Sequence, residues 1–336
     1  MRTPSLLLAL AFCVGCAGGS VERAPWPADA VAMPYPPEAV VPGLIVHAAT
    51  GRTLSETELL DLAAEHRAIY VGEAHDNLAA HRVQAAIVKG LVERHPGKVV
   101  VGMEMFPTTA QEELDAYHAG QLSEEEFGSL WRESWEMDPA YYQPLFDVIR
   151  EQKIPIVGLN LPREIIETVA RGGVEALTPE ERQKLPAIGP VDPYQRAMLD
   201  AVFAGHSAGS GQMERFLLVQ QLWDESMAQR AAAVLRDEAR EGTRLIVIAG
   251  GYHVAFGVGI PRRLFRRVPL SYLTIVTPVA DPETLPETSR MDVDLPEIPL
   301  PEAHVVWYVD FETLSKDPAH SRRAPESPYH STLSLR

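Results

Sequence analysis

Two short stretches concentrate the residue types best able to do chemistry: Gly72-Glu73-Ala74-His75 and Gly250-Gly251-Tyr252-His253. Each is a Gly-x-x-His unit, and each directly follows an apolar run, 68–71 and 245–249. A third run, 99–103, ends in Glu104, and a fourth, 154–159, ends in Asn160. Glycine permits a sharp exit from a strand and close approach of backbone, so the histidine three residues on is carried to the strand's end. Two such ends, far apart in sequence, can lie side by side in one sheet and share a ligand.

Glu73, His75, Glu104 and His253 form the candidate metal-binding or catalytic set. Imidazole and carboxylate are ligands for zinc, manganese or iron, and the imidazole must be unprotonated to bind. A carboxylate beside a metal-bound water is alternatively a general base. The same histidines can meet a haem, whose axial ligands include His, Tyr and Met. Tyr252, Tyr141 and Tyr142 are the candidate phenolates, and His81 lies one to two turns into the helix that follows His75. On a long helical stretch, Gln221, Trp223, Asp224 and Met227 interrupt an apolar surface. Trp223 and Met227, one turn apart, suit a core, whereas Gln221 and Asp224 are odd in that setting and are expected to look into the cleft. The bland reading of any one His or Asn here is a helix cap or a loop hydrogen bond. The arginines at 262, 263, 266 and 267 read as a solvated face, with haem propionates as the sharper alternative.

The elements that must position these residues follow from the same pattern. Runs apolar at nearly every position and rich in Val and Ile fit strands buried on both faces of a parallel sheet. Ligands of such sheets bind outside the carboxyl ends of the strands. The segment 43–48 reads as an opening strand. Ser55-Glu56-Thr57-Glu58 and Ser123-Glu124-Glu125-Glu126 are capping boxes, and Asp76 and Asn77 can cap a helix running to about Arg94. A helix is expected from Asp138-Pro139 to before Ile154. Residues 161–211 read as an inserted helical segment, 212–241 as one long helix stopped by Gly242, and 270–276 and 304–311 as closing strands. The fold class is therefore α/β: a mainly parallel central sheet flanked by helices, with a helical insertion, in a domain spanning 43–312. A frayed tail, 313–336, follows.

The chain has 336 residues, 46% of them hydrophobic, enough for a sizeable core. A formal charge of −16 argues against a nucleic-acid partner, which needs a basic face. Arg2 and the short apolar stretch 5–14 make a signal segment over 1–16, too short to span a bilayer. The two cysteines, Cys13 and Cys16, both lie there, and Gly15-Cys16 resembles a bacterial lipobox with Cys13 where Leu is usual. Cys16 is then the lipidated first residue, and no cysteine is left for a disulfide framework. The Pro-rich stretch 17–42 reads as a tether, and Ala17 after the lipid site favours the outer membrane of a Gram-negative envelope. The alternatives are a plain secretory signal or a Cys13–Cys16 disulfide.

Taken together, 72–77 with His81, Gly102-Met103-Glu104-Met105-Phe106, Gln221-x-Trp223-Asp224-x-x-Met227-Ala228, and 250–253 with Gly257-x-x-Ile260-Pro261 resemble the ChaN-like haem-binding lipoproteins of the Tiki/TraB/erythromycin-esterase superfamily. The resemblance covers roughly 43–276. It implies an α/β fold with a parallel sheet and binding of haem or an iron compound at the cell envelope, in iron uptake. Cofactor contacts then fall to His75, His81, Tyr252, His253, Asn160, Trp223, Asp224 and Met227, with Phe106 in the cleft wall; a homodimer stays open. The wider superfamily implies instead a hydrolase, protease or esterase-like, using zinc or manganese at Glu73, His75, Glu104 and His253. Such hydrolysis is expected to use a general base or a metal at that His/Glu set.

Overall fold

The structure, a computed structural model, describes residues 39–204, 210–286 and 298–314. The expectations for the 1–16 signal, Cys16, nearly all of the tether and the tail beyond 314 fall outside these residues.

Four apolar runs become the strands that organise the fold: β3 (Ala68–Glu73), β4 (Val99–Pro107), β5 (Ile156–Asn160) and β6 (Arg244–Gly250). With β1 (Ile45–His47), β2 (Arg52–Thr53), β7 (Tyr272–Val276) and β8 (Val305–Trp307) they make one sheet in the order β2-β1-β8-β7-β3-β6-β4-β5. The strands from β8 to β5 pair in parallel; β1 runs antiparallel to both β2 and β8. The protein is thus α/β with a mostly parallel sheet.

Continuous burial along the inner strands reflects helices on both faces. Alternate residues point opposite ways: Ile69, Val71, Ile246 and Ile248 enter one core, while Ala68, Tyr70, Leu245, Val247 and Ala249 enter the other. The first core is closed by α1 (Glu56–Ala64), α2 (Leu78–Arg94), α3 (Gln111–His118), α4 (Glu124–Ser134) and α5 (Gln143–Glu151). After α6 (Arg163–Gly172), α7 (Pro179–Gln183) and α8 (Pro193–Ala204) comes α9 (Ser210–Arg236). The second core is closed by α9, α10 (Gly251–Val254) and α11 (Ile260–Arg267).

Chain order and spatial order differ at one place that matters. The chain passes from β3 through α2 to β4, leaving a slot that β6 fills much later. Both neighbours of β6 are therefore bonded to it along nearly its whole length, and Glu73 lies opposite Gly250. Both capping boxes form with both reciprocal bonds, at Ser55/Glu58 and Ser123/Glu126. Two helix boundaries differ from expectation. Asp138-Pro139 opens a 3-10 turn (Pro139–Tyr142) before α5, and α9 stops at Arg236 before a second 3-10 turn, with Gly242 reaching φ 76°.

Candidate functional site

Glu73 ends β3 fully buried, and a buried carboxylate must be paired. Its Oε1 accepts from His75 Nδ1 at 2.8 Å and from the Tyr142 hydroxyl; Oε2 lies 3.1 Å from His81 Nδ1 and accepts from the Gln84 amide. His81 Nε2 lies 3.0 Å from the His75 carbonyl, so acceptors face both ring nitrogens of His81, an arrangement that only the cation satisfies at both ends. Burial opposes that charge, but the Glu73 carboxylate, the His75 carbonyl and the Gln84 amide oxygen together outweigh it and raise the His81 pKa. Burial alone would push Glu73 up; the charge on His81 and the bond from His75 overrule it and hold the carboxyl well below the usual range. Tyr142, buried against the same carboxylate, has its hydroxyl pKa driven far up. It is a hydrogen-bond donor and not a phenolate.

His75 meets this network through Nδ1 alone. Among the described residues no hydrogen bond engages its Nε2, which turns toward Gly250: a Cβ there would sit 3.0 Å from Nε2 and 3.6 Å from Glu104 Oε2. The missing side chain of Gly250 leaves the space in which that nitrogen stands. The Trp135 ring lies edge-on at 5.1 Å, and the His75 side chain keeps 17% of its exposure.

The neighbouring strand end supplies a mirrored arrangement. β6 runs straight into the single turn of α10, which carries His253 back over the sheet. Its Nδ1 lies 2.7 Å from Asp224 Oδ1 and 3.0 Å from the Gln220 amide, and its Nε2 is 3.4 Å from Glu104 Oε1. The other Glu104 oxygen accepts the Gly250 N–H at 2.7 Å. Burial works against charge on His253, yet Glu104 and Asp224 together raise it to about 10. Glu104, raised by burial, is brought down to about 2 by His253, with His75 adding to the effect. Glu104 thus stands between two imidazoles, each held at Nδ1 by its own carboxylate. Along the rim, Glu73, His75, Glu104, His253 and Asp224 alternate in sign.

The network continues behind Asp224, where the structure corrects one expectation. Arg263 is not on a solvated face: it is 1% exposed, 3.6 Å from Asp224 Oδ2 and 3.3 Å from Glu225 Oε1. Arg266 and Arg267 also bond Glu225, and Arg262 pairs with Asp192. The arginine run cannot reveal which side of α11 packs; the acids of α9 settle it.

Several other candidates sit away from the rim. Asn160 turns its carbonyl oxygen onto the Leu161 N–H at 2.9 Å, the local role a strand-end Asn often takes. Tyr252 packs with Met198, Leu199, Leu217 and Val258, its hydroxyl donating to the Gln195 carbonyl at 3.4 Å, and burial drives its pKa far up. Met227 is buried in the core under the sheet, and Phe106 packs against Phe127 and Trp131 on the opposite face; neither lines a cleft. The Gln221 amide donates to the Gly189 carbonyl, and the Tyr141 hydroxyl meets Thr313. Trp223 stays close, its ring 6.1 Å from that of His253. Among the described residues, no three His, Cys, Asp or Glu side chains are placed to share a metal ion. Sequence reading missed Gln84, Gln195 and Gln220. Two of them carried a signal: Gln84 is three residues from His81 and Gln220 four from Asp224, spacings that share a helix face.

A family profile described as "Haem-binding uptake, Tiki superfamily, ChaN" matches residues 59–264, more than half the chain and every residue of the rim. The chain belongs to this family. ChaN of Campylobacter jejuni, solved as a structure of cofacial heme binding, superposes with a TM-score of 0.58 at 18% identity, covering 78% of this chain and 95% of that one, and so shares the fold. Protein RETICULATA-RELATED 5, chloroplastic, of Arabidopsis thaliana is 23% identical over 241 residues, 65% of this chain and 31% of that protein. This chain spans about a third of that relative's length.

The donor set of this family member fits a haem on its own chemistry. An imidazole whose Nδ1–H is fixed by a carboxylate presents its Nε2 lone pair as a ligand, and the carboxylate raises its basicity. His75 meets that description, backed by Glu73, with its Nε2 packed over the side-chain-free Gly250 and Trp135 beside it. His253 does not, because both its nitrogens face carboxylates.

Proposed function

We propose that this protein binds haem at the carboxyl rim of β3, β6 and β4, with His75 Nε2 as the residue meeting the iron. The observation that carries this reading is the one-sided engagement of His75, in a chain whose family is described by haem-binding uptake. Bound haem supplies an iron whose ligation the rim controls. Glu73 holds the His75 ring, while Trp135 and Trp223 offer apolar surface beside the two histidines. Titration of the protein with hemin should give a saturable shift of the Soret band. His75→Ala should abolish that shift. Gly250→Ala removes no donor and keeps an ordinary backbone conformation, φ −53° and ψ 142°, yet crowds Nε2. A loss of about tenfold in affinity, roughly 1.4 kcal/mol, is expected for it. Undiminished hemin binding by His75→Ala would refute the assignment.

A second reading has its own observation. Two carboxylate-held imidazoles flanking Glu104 are also a general acid–base apparatus for hydrolysis. In it the His253 cation is the acid and His75 the base. Ester or peptide hydrolysis lost in His253→Gln, with hemin spectra unchanged, would favour this reading.

The cellular setting we infer is an envelope lipoprotein, held through Cys16 in the outer membrane and serving iron acquisition. Its support is the Gly15-Cys16 lipobox and the Pro-rich tether. Several acyl chains hold a protein on a membrane where one does so only marginally. Cys16→Ser should move the protein from the membrane to the soluble fraction or leave it unprocessed.

A further inference from the structure

The buried amide of Gln195 joins the inserted helix α8 to the rim. Its Nε2 donates to Asp224 Oδ2, its Oε1 accepts from Arg263 Nη2 at 2.9 Å, and its backbone carbonyl accepts from the Tyr252 hydroxyl at 3.4 Å. Gln195 and Asp224 are fully buried, and Arg263 nearly so. The amide can sit only one way round, since Arg263 has nothing but donors and a carboxylate nothing but acceptors. The Asp224 carboxylate is therefore divided: Oδ2 belongs to Gln195, and Oδ1 stays with His253 at 2.7 Å. Arg263 stands 3.6 Å from Oδ2, close enough to take the carboxylate for itself if the amide were gone. The groups facing His253 are Glu104 from β4, and Asp224, Gln220 and Trp223 from α9; Arg263 from α11 acts through Asp224.

We propose that Gln195 is a positioning residue for the rim: by standing between Arg263 and Asp224, it keeps the carboxylate on His253 Nδ1 and so makes the seating of α8 a condition for an ordered imidazole. The proposal rests on the reading of this rim as the functional site, though not on which ligand occupies it. α8 is anchored there from its first turn. Asp192 accepts from the Tyr194 and Gln195 N–H groups at 2.9 and 3.3 Å and pairs with Arg262.

The test uses the unliganded full chain, so its outcome is separate from any failure of hemin binding. The low-field Nδ1–H proton of His253 is followed by NMR and assigned by its loss in His253→Gln. Gln195→Leu neither donates nor accepts, so Asp224 should relax onto Arg263 and the Nδ1–H should exchange with water roughly tenfold to a hundredfold faster. Gln195→Glu should keep the signal at its original exchange rate. Ionised, its carboxyl pairs with Arg263 and repels Asp224 toward His253; protonated, its hydroxyl replaces the amide donor. Loss in the first variant with retention in the second is the expected pattern, and a purely structural role would disturb both alike. A signal that persists in folded Gln195→Leu, or disappears from folded Gln195→Glu, overturns the proposal. Should Gln195→Leu fail to fold, the second variant decides alone.

Discussion

Glu73→Ala is expected to lower the unfolding free energy by about 3–5 kcal/mol, the cost of deleting one partner of a buried charge pair. The loss is concentrated because four donors converge on that one carboxylate. His75, His81, Tyr142 and Gln84 would all lose it together, and of the four only His75 keeps some access to solvent. Glu73→Gln keeps the shape but offers one acceptor oxygen in place of two and adds donor hydrogens facing donors. It should recover little of the loss. Urea unfolding of the three proteins at pH 6 measures the differences. A cost under about 1 kcal/mol for alanine, the size of an exposed pair, would show that the cluster does not act as a buried unit. Hemin binding offers a second readout, since without Glu73 the His75 ring has no fixed tautomer.

Much of this geometry could be read in the sequence because parallel strands buried on both faces leave an unmistakable trace. The runs before His75, Glu104 and His253 are apolar at almost every position, and strand ends of that kind converge on one edge of a sheet. The capping boxes were equally legible, since each is a local contract between residues three apart. What stayed hidden depends on which faces meet. Nothing near Tyr142 announces that the 3-10 turn carrying it packs over β3, 69 residues away in sequence. Arg263 differs from Arg262 and Arg266 in being buried against Asp224 and Glu225, a matter of helix rotation that two like Arg-Arg pairs, split by Leu264 and Phe265, conceal. Met227 and Tyr252 matched the family pattern yet went to the core, because a motif preserves packing residues as readily as chemical ones. Gln195 had no periodic partner at all; its role exists only once α8 lies across Asp224.

The second large effect is on pH dependence, and its direction follows from the two kinds of group in the rim. Glu73 and Glu104 have folded pKa values depressed below the ordinary 4.5, Glu104 to about 2. Their contribution is complete above the ordinary value and is lost as pH falls through the folded one. His75, His81 and His253 move the opposite way, raised above 6.5, His253 to about 10. Their contribution is complete below 6.5 and is lost as pH rises toward the folded value. Stability should therefore peak between about pH 4.5 and 6.5 and decline through the alkaline range, where many proteins still hold their maximum. Between 6.5 and about 10, His253 alone removes up to roughly 1.4 kcal/mol per pH unit, one proton's worth. The three imidazoles share carboxylates, so the decline should be one broad transition and not three steps. His253→Gln should flatten that alkaline limb in urea titrations run from pH 4 to 10, at the cost of lower stability at pH 5.5. An unchanged slope would mean that His253 is neutral in the folded protein and that the Asp224 and Glu104 charges are answered elsewhere. Hemin affinity should run against stability, because iron and proton compete for His75 Nε2. Binding is then weakest at the acid side, where the fold is firmest, and strengthens as the rim begins to give up its protons.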